Sequence, residues 1–392
     1  MMNNRTIYFL VDEFPRLGGA ETVTDRLASE LTERGERVVV LAKTSGMKLP
    51  REGAYTVEYW SPLAFALKQS VLRQISLRQV PRGLFLFALK KSGLLNKLVD
   101  ISAAILIKKK IRRWNSADIV ISTRADILLQ LISSPAFNIR DKPLIINQFH
   151  TSLNPLGEYG AFVEEARRSM KVIDGFTVLS ENCRNSFIND WCIPTLVLDN
   201  PNPPLNKFSI SSFEKRIVVA SRLVESKQVD IAIKTFSRFV QDPLYEDWCM
   251  EIFGDGSERH ALESMVENLG VEKSVFFRGQ ARTPEEIFSR ASIHLMTSRF
   301  EGRAMVIQEA ACFGIPSIAF DVSGGTHELV KSLDGVLVQP GDSEQLLSEL
   351  KKMAVNRLQL EQNSLQVRSK ANQYDPSTIV DTFLRWVEQI QH

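Results

Sequence analysis

The sequence lacks any long hydrophobic run. Its 392 residues contain no stretch of 18 or more consecutive apolar residues, so no membrane-spanning helix is expected. The opening residues, MMNNRTIYFLVDEFPRLGG, hold only a short apolar run that acidic residues follow at once, which does not fit a secretory signal peptide. We therefore expect a cytoplasmic protein.

Cysteine is scarce and unpaired. The four cysteines, Cys183, Cys192, Cys249 and Cys312, are scattered along the chain with no Cys-x-x-Cys pair. This spacing argues against a zinc site or a disulfide framework. The expected role of these cysteines is that of small buried hydrophobic residues in a reducing compartment. Internal repeats and low-complexity tracts are also missing.

Positive charge is concentrated in one segment. Residues 60–115 carry twelve Lys or Arg against a single acid, Asp100, so the segment is +11 and the rest of the chain −9, for a total of +2. A basic amphipathic stretch of this kind can lie on an anionic membrane surface. The alternative is a helix that covers the sheet with its charges solvated. With few aromatic residues and no recognised module, the segment does not predict nucleic-acid binding.

Short β-branched runs alternate with helical patterns along most of the chain. TIYFLVDEF and RVVVLAK predict buried strands, and AETVTDRLASELTERG between them predicts a helix that ends at Gly35. The cluster NPNPP at residues 200–204 marks a linker, after which RIVVASRL restarts the same alternation. This predicts an α/β protein with two Rossmann-like doubly wound domains. The predicted units are a first domain (1–204, with the basic insert at about 61–114), a second domain (205–375) and a C-terminal helix (376–392) that crosses back to the first.

Glycines follow several of the predicted strands. Backbone amides of such glycines can approach an anion, and a helix behind them adds its positive N-terminal end. The same glycines also suit tight turns. Three such loops are FPRLGGAE with Gly18 and Gly19, FGDGSER with Gly254 and Gly256, and DVSGGTHE with Gly324 and Gly325.

Charged residues follow the predicted strands as well. Arg222 and Lys227 lie in ASRLVESKQVD, and His150 lies in NQFHTS. Ligands of open parallel sheets bind at the carboxyl ends of the strands, where two cations suit a diphosphate. Two glutamates, Glu301 in a loop and Glu309 about two helical turns later, complete the set in RFEGRAMVIQEAACFG. Carboxylate oxygens can accept hydrogen bonds from sugar hydroxyls.

GGAE, SRLVESK, FGDGSER, EGRAMVIQE and SGGTHE occur in this order over nearly the whole chain. Together they resemble a family-4 retaining glycosyltransferase of GT-B architecture, with two Rossmann-like domains facing a central cleft and EGRAMVIQE as the Glu-x7-Glu motif. The resemblance implies transfer of a hexose or N-acetylhexosamine from a nucleoside diphosphate sugar, with UDP the expected nucleotide. The implied acceptor is a cell-envelope polysaccharide, a lipid-linked saccharide or a teichoic-type polymer. It also implies no cofactor and no metal, in keeping with the missing Asp-x-Asp motif.

The resemblance assigns roles to individual residues. The implied catalytic residues are His150 near the reacting centre, Arg222 and Lys227 on the diphosphate, and Glu301 on the transferred sugar. Glu309 would hold the ribose hydroxyls. The other implied donor-binding residues are Gly18, Gly19, Gly254, Gly256, Gly302, Arg303, Ala304, Gly324, Gly325 and Glu328.

Arg303 and Ala304 depart from the pattern of this family. The first Glu-Gly pair is usually followed by an aromatic or aliphatic residue and then by a small residue or proline. Arg303 would place a cation beside an unusual or negatively charged donor sugar, contact an acidic acceptor, or point into solvent. Two other functions remain open, a GT-B nucleotide-sugar epimerase and a non-catalytic glycosyltransferase partner subunit. The predicted location is cytoplasmic, including the inner face of the membrane through residues 61–114.

Overall fold

The computed structural model describes residues 5–15, 18–45, 53–60, 106–107, 109–132, 142–150, 172–185, 192–205, 209–210 and 212–391. Most of the predicted basic insert, residues 61–105 and 108, lies outside these ranges. Within them, no helix combines the length and the apolar character needed to cross a membrane. The four cysteines are all free thiols.

The first half of the chain forms a seven-stranded parallel sheet. Its strand order is β3-β2-β1-β4-β5-β6-β7. The chain adds strands outward on one side of β1 up to β3 and then continues on the other side of β1 with β4. The place between β1 and β4 is the reversal point of this sheet. The five inner strands have almost completely buried centres, as expected for a sheet covered on both faces, whereas the edge strands β3 and β7 are only partly buried. The elements are β1 (Thr6–Phe14), α1 (Gly19–Glu33), β2 (Arg37–Ser45), β3 (Thr56–Tyr59), β4 (Ile119–Ser122), α2 (Ala125–Ile132), β5 (Leu144–Gln148), β6 (Gly175–Val178) and β7 (Thr195–Val197).

The second half forms a six-stranded parallel sheet of order β10-β9-β8-β11-β12-β13, with the same kind of reversal between β8 and β11. The predicted α/β class with two doubly wound domains is therefore confirmed. The elements are β8 (Arg216–Ala220), α3 (Val229–Val240), β9 (Cys249–Phe253), α4 (Arg259–Asn268), β10 (Val275–Gly279), α5 (Pro284–Phe288), β11 (Ile293–Met296), α6 (Met305–Cys312), β12 (Ser317–Phe320), α7 (Gly324–Ser332), β13 (Val336–Val338), α8 (Ser343–Val355) and α9 (Arg357–Ala371).

The last helix, α10 (Pro376–Gln391), belongs to the core of the first domain although it follows the second. Its buried side chains recur at three- and four-residue intervals, which places them on one helical face. A Cβ atom added to Gly175 at the start of β6 would lie 2.6 Å from the Trp386 ring, so the glycine makes room for this helix. The side chains that α10 contributes to the first-domain core are Ile379, Val380, Phe383, Trp386 and Val387.

The linker between the sheets is buried and hydrogen-bonded. The Asn202 backbone amide donates to the Tyr374 carbonyl at 2.8 Å, and its side-chain amide donates to the Ala371 carbonyl at 2.9 Å. The Gln308 side chain donates to the Asn200 carbonyl at 2.9 Å. Helices α6 and α9 are thereby attached to the linker, which fixes the position of the second domain's central helix against the segment leading from the first.

Candidate functional site between the two sheets

The candidate site is built from the loops that follow the strands where the strand order of each sheet reverses. In open α/β sheets, ligands bind outside the carboxyl ends of the strands where the strand order reverses. In the first sheet, β1 leads into Gly18 and Gly19 at the start of α1. In the second, β8 leads to Lys227 and β11 leads to Glu301. The predicted residues on each side are thus placed where a ligand is expected.

Lys227 and Glu301 form an ion pair at the reversal point of the second sheet. The Lys227 Nζ lies 2.6 Å from Glu301 Oε1, and the side chains are 15% and 18% exposed. The Ser298 hydroxyl donates to the same carboxylate oxygen at 2.9 Å. A short 3-10 helix, Glu225–Lys227, carries the lysine, and Gln228 after it has a positive φ of 47°. The Lys227 side chain therefore points across the end of the neighbouring strand, β11, and not along the direction of β8, the strand that precedes it.

Three helix N-termini meet around the loop of residues 302–305. A Cβ added to Gly19 would lie 3.6 Å from the Met305 sulfur, and one added to Gly325 would lie 2.2 Å from the Gly302 carbonyl oxygen. The first contact joins the starts of α1 and α6, and the second joins the start of α7 to the loop before α6. Helix N-termini carry unpaired amides and partial positive charge, so their convergence favours an anionic group. Ala304, the N-cap of α6, is buried in this junction.

Glu309 is held by a residue of the first domain. Arg26 of α1 donates from Nη2 to Glu309 Oε1 at 2.9 Å, and the two side chains are 5% and 17% exposed. The second guanidinium nitrogen, Nη1, donates to the Pro201 carbonyl of the linker at 2.9 Å. The sequence analysis did not single out Arg26. A helical projection of α1 places it three residues after buried Val23, on the buried face, which is the signal that could have found it.

Arg303 is buried at the domain junction. Its Nη1 donates to the Leu179 carbonyl of the first domain at 2.9 Å, and its Nη2 lies 2.6 Å from Asp199 Oδ1. The guanidinium also lies over the Tyr374 ring, 5.6 Å from its centroid. Glu328 is at the margin of this group, with Oε2 3.7 Å from Nη1. The alternative in which Arg303 points into solvent is therefore wrong, because its side chain is only 5% exposed.

Asp199 is the carboxylate partner in this junction. Burial raises the pKa of Asp199 above its usual value, although the Arg303 guanidinium opposes the shift. The aspartate is attached to the end of β7 and the arginine to the loop before α6. Their ion pair therefore ties the loop that follows Glu301 to the first domain.

His150 follows β5 in the first domain. Its Nε2 atom is buried and has no hydrogen-bond partner among the described residues, while the residue as a whole keeps partial exposure. Burial lowers the pKa of His150 to about 4, so the ring is neutral at pH 7. A neutral ring with an unpaired nitrogen can donate or accept one hydrogen bond, depending on its tautomer.

Gly254 and Gly256 bring two strand ends together. Gly254 has a φ of 127°, and an added Cβ would lie 1.8 Å from the Ser221 carbonyl oxygen. A Cβ on Gly256 would lie 2.2 Å from the Leu223 carbonyl oxygen. Both glycines are required by the close approach of the loop after β9 to the loop that carries Arg222. Arg222 itself is exposed and makes no ion pair with any described residue.

Residues outside the predicted set complete the junction. Ser298 shares the Glu301 carboxylate, and Ser323 caps α7 by accepting a hydrogen bond from the Thr326 amide at 3.1 Å. Asn182 of the first domain contacts the second, since a Cβ on Gly324 would lie 2.8 Å from its Cβ. Within the described ranges, no three His, Cys, Asp or Glu side chains come together in a way that could hold a metal ion. Metal independence stays a prediction.

Sequence comparison identifies the second domain. The family described as Glycosyl transferases group 1 matches residues 205–372. A poly(ribitol-phosphate) alpha-N-acetylglucosaminyltransferase of Staphylococcus aureus is 24% identical over 203 residues, which are 48% of this chain and 38% of that protein. The amylovoran biosynthesis glycosyltransferase AmsD of Erwinia amylovora is 22% identical over 95% of this chain and 97% of its own length. The chain spans 15–43% of the length of several other curated relatives that it matches.

Structural comparison covers the whole chain. The S. aureus protein TarM, solved with fondaparinux, alpha-GlcNAc-glycerol and UDP, superposes with a TM-score of 0.73 at 14% identity, covering 97% of this chain and 99% of that one. This likeness shows the GT-B fold for the two domains. Family 4 membership and the Glu-x7-Glu role of Glu301 and Glu309 remain predictions.

Proposed function

We propose that this protein transfers a sugar from a nucleoside diphosphate sugar to a cell-envelope glycan, because residues 205–372 match the group 1 glycosyl transferases and the chain has the GT-B fold. The observation that carries the proposal is the Lys227–Glu301 pair at the reversal point of the second sheet. It lies beside the loop where the N-termini of α1, α6 and α7 converge. A cation, a carboxylate and unpaired amides in one place suit a diphosphate joined to a sugar.

In the proposed complex, the diphosphate lies between Lys227, Arg222 and the amides near Gly325. Lys227 uses one of its three N–H groups on Glu301 and keeps two for phosphate oxygens. Glu301 uses one oxygen on Lys227 and Ser298, which leaves the other for a hydroxyl of the transferred sugar. Fixed positive charge at the departing diphosphate stabilises the charge that develops as the glycosidic bond breaks.

The transfer proposed here retains the anomeric configuration. The anomeric carbon exchanges its bond to the diphosphate oxygen for a bond to the acceptor hydroxyl, whose proton passes to the departing diphosphate on the same face. In this proposal His150, which is neutral at pH 7, hydrogen-bonds the sugar without adding charge. Glu309 binds the ribose hydroxyls. Gly18 and Gly19 of the first domain have no side chains, which lets the phosphates approach their backbone.

The similar proteins support a hexose or N-acetylhexosamine donor and an envelope polymer as acceptor. TarM was solved with UDP, the S. aureus enzyme acts on poly(ribitol-phosphate), and AmsD acts in amylovoran biosynthesis. We take UDP as the nucleotide of this chain on that basis. We also propose that the protein works in the cytoplasm at the inner face of the membrane, where lipid-linked and polymeric acceptors are assembled.

A thermal-shift panel of UDP, GDP and ADP tests which nucleotide the protein binds. A ligand present at 100 times its Kd stabilises the folded protein by about 2.7 kcal/mol. UDP should raise the midpoint of thermal unfolding more than GDP or ADP does. Donor sugars are then tested with envelope polymer as acceptor, and the anomeric configuration of the product is read by proton NMR. Transfer with retention supports the proposal. Epimerised donor in the absence of acceptor would replace it with an epimerase, and nucleotide-sugar binding without turnover on any acceptor would indicate a non-catalytic subunit.

The predicted membrane contact has its own test. Residues 109–113 are described and include four cations, of which Lys110 pairs with Glu58 of β3. The wild type is compared with a charge-reversed variant of Lys109, Arg112 and Arg113 in vesicles containing anionic lipid. Weaker co-sedimentation of the variant supports the contact, and equal partitioning contradicts it.

A further inference from the structure

Arg26 is a buried cation whose position needs an explanation. Its side chain is 5% exposed and touches three parts of the fold, since it stands on α1, donates to the Pro201 carbonyl of the linker and pairs with Glu309 of α6. Its Nε atom is buried without a hydrogen-bond partner among the described residues. Burial of a charge is costly unless the charge is paired. A neutral apolar residue at this point of the helix would avoid that cost.

Attachment of α6 to the first half of the chain does not by itself require Arg26. Gln308, the neighbour of Glu309, already donates to the Asn200 carbonyl of the linker. Arg303, just before α6, binds the Leu179 carbonyl and Asp199. What Arg26 adds is a fixed partner for one carboxylate oxygen. Among the described residues, the other oxygen of Glu309 has no partner, and the side chain is 17% exposed.

We propose that Arg26 is a positioning residue for ribose recognition, and that it holds the Glu309 carboxylate in the rotamer that presents its second oxygen to the nucleotide. The inference rests on the proposed function, in which Glu309 binds the ribose diol. Because Arg26 belongs to the first domain, that domain contributes to recognition of a nucleotide bound by the second. Nucleotide binding and the relative position of the two domains are thereby coupled through one guanidinium.

The test compares UDP with 2′,3′-dideoxy-UDP by calorimetry in each variant. The ratio of their two dissociation constants isolates the ribose hydroxyls and does not depend on how much of the protein is folded. The wild type should bind UDP at least about tenfold more tightly, the scale of hydrogen bonds to a charged group. Glu309→Ala should bring the ratio close to one. Arg26→Met should lower it to within about threefold of the Glu309→Ala value, and Arg26→Lys, which restores the charge, should recover part of it.

Two further variants keep the outcome decisive. Arg34→Met removes the arginine at the C-cap of the same helix, which pairs with Glu30 and Asp381 at the surface, and it should keep the wild-type ratio. Arg26→Gln keeps a donor for the Pro201 carbonyl but loses the charge that faces Glu309, so its ratio decides the matter if Arg26→Met does not fold. A wild-type ratio in either neutral variant overturns the inference. A wild type that binds UDP and dideoxy-UDP equally overturns the ribose role of Glu309 instead, and a wild type that binds neither overturns the choice of nucleotide.

Discussion

Replacement of Arg303 by methionine should destabilise this protein more than almost any other single change at the domain junction. Methionine keeps much of the side-chain volume and removes the charge. It also removes the hydrogen bond to the Leu179 carbonyl and the ion pair with Asp199. Asp199, whose side chain is 30% exposed, is left without this cation.

The size of the loss follows from the surroundings. Removing one partner of a buried ion pair costs about 3–5 kcal/mol, because the remaining charge stays desolvated. Since the Asp199 side chain is 30% exposed, we expect a loss at the lower end of this range. A loss of about 3 kcal/mol lowers the melting temperature of a domain of this size by about 6–12 °C, since each kcal/mol is worth about 2–4 °C. Burial already raises the pKa of the Asp199 carboxyl against the opposing Arg303 charge, so that pKa should rise further when the cation is removed.

The assay is thermal and urea unfolding of matched variants. Arg238→Met is the control, because Arg238 forms a surface pair with Glu344 in the same domain, and its midpoint should equal that of the wild type. The double variant with Asp199→Asn should recover at least half of the loss, because it removes the orphaned carboxylate. An Arg303→Met protein that melts within 1 °C of the wild type would refute the reasoning, and so would a double variant that is less stable than the single one.

Other substitutions separate binding, turnover and stability. Lys227→Ala should lower kcat by about 10²–10³ with little change in the acceptor KM, since its charge acts on the departing diphosphate; an unchanged kcat would contradict this role. Gly325→Ala should abolish donor binding while sparing the first domain, because its Cβ would lie 2.2 Å from the Gly302 carbonyl oxygen, and calorimetry with UDP checks it. Burial lowers the pKa of His294 to about 3. The contribution of His294 to stability should therefore be complete above about pH 6.5 and fall by up to about 1.4 kcal/mol per pH unit as the pH drops further, because the unfolded histidine takes up the proton; His150 adds a similar contribution. His294→Gln should flatten that slope in urea unfolding at pH 7, 6 and 5, and an unchanged slope would show that other groups cause it.

The strands and the loops that follow them could be predicted from sequence because their signals are local. TIYFLVDEF is a continuous β-branched and apolar run, and Gly18 and Gly19 follow it before a helix of regular apolar spacing. The same holds for the loops that carry Lys227 and Glu301. Each is a few residues from a strand end, and strand ends of a parallel sheet lie at one edge.

The junction could not be predicted, because its partners are distant in the chain. Arg26 and Glu309 are 283 residues apart, and Arg303 and Leu179 are 124 apart. No local pattern distinguishes Arg26 from a solvated helix arginine except its place beside Val23 on the apolar face. For Arg303, the sequence indicated that a cation was unusual in that position, but not that Asp199 and Tyr374 would enclose it. Burial of a charge is a property of the assembled domains.

A crystal structure with UDP tests the central claim most directly. The account predicts the diphosphate within hydrogen-bond distance of Lys227 Nζ and beside Gly325, with the ribose hydroxyls on the second carboxylate oxygen of Glu309 and Arg26 still bound to the first. UDP bound elsewhere on the chain, or ribose hydroxyls turned away from Glu309, would contradict it.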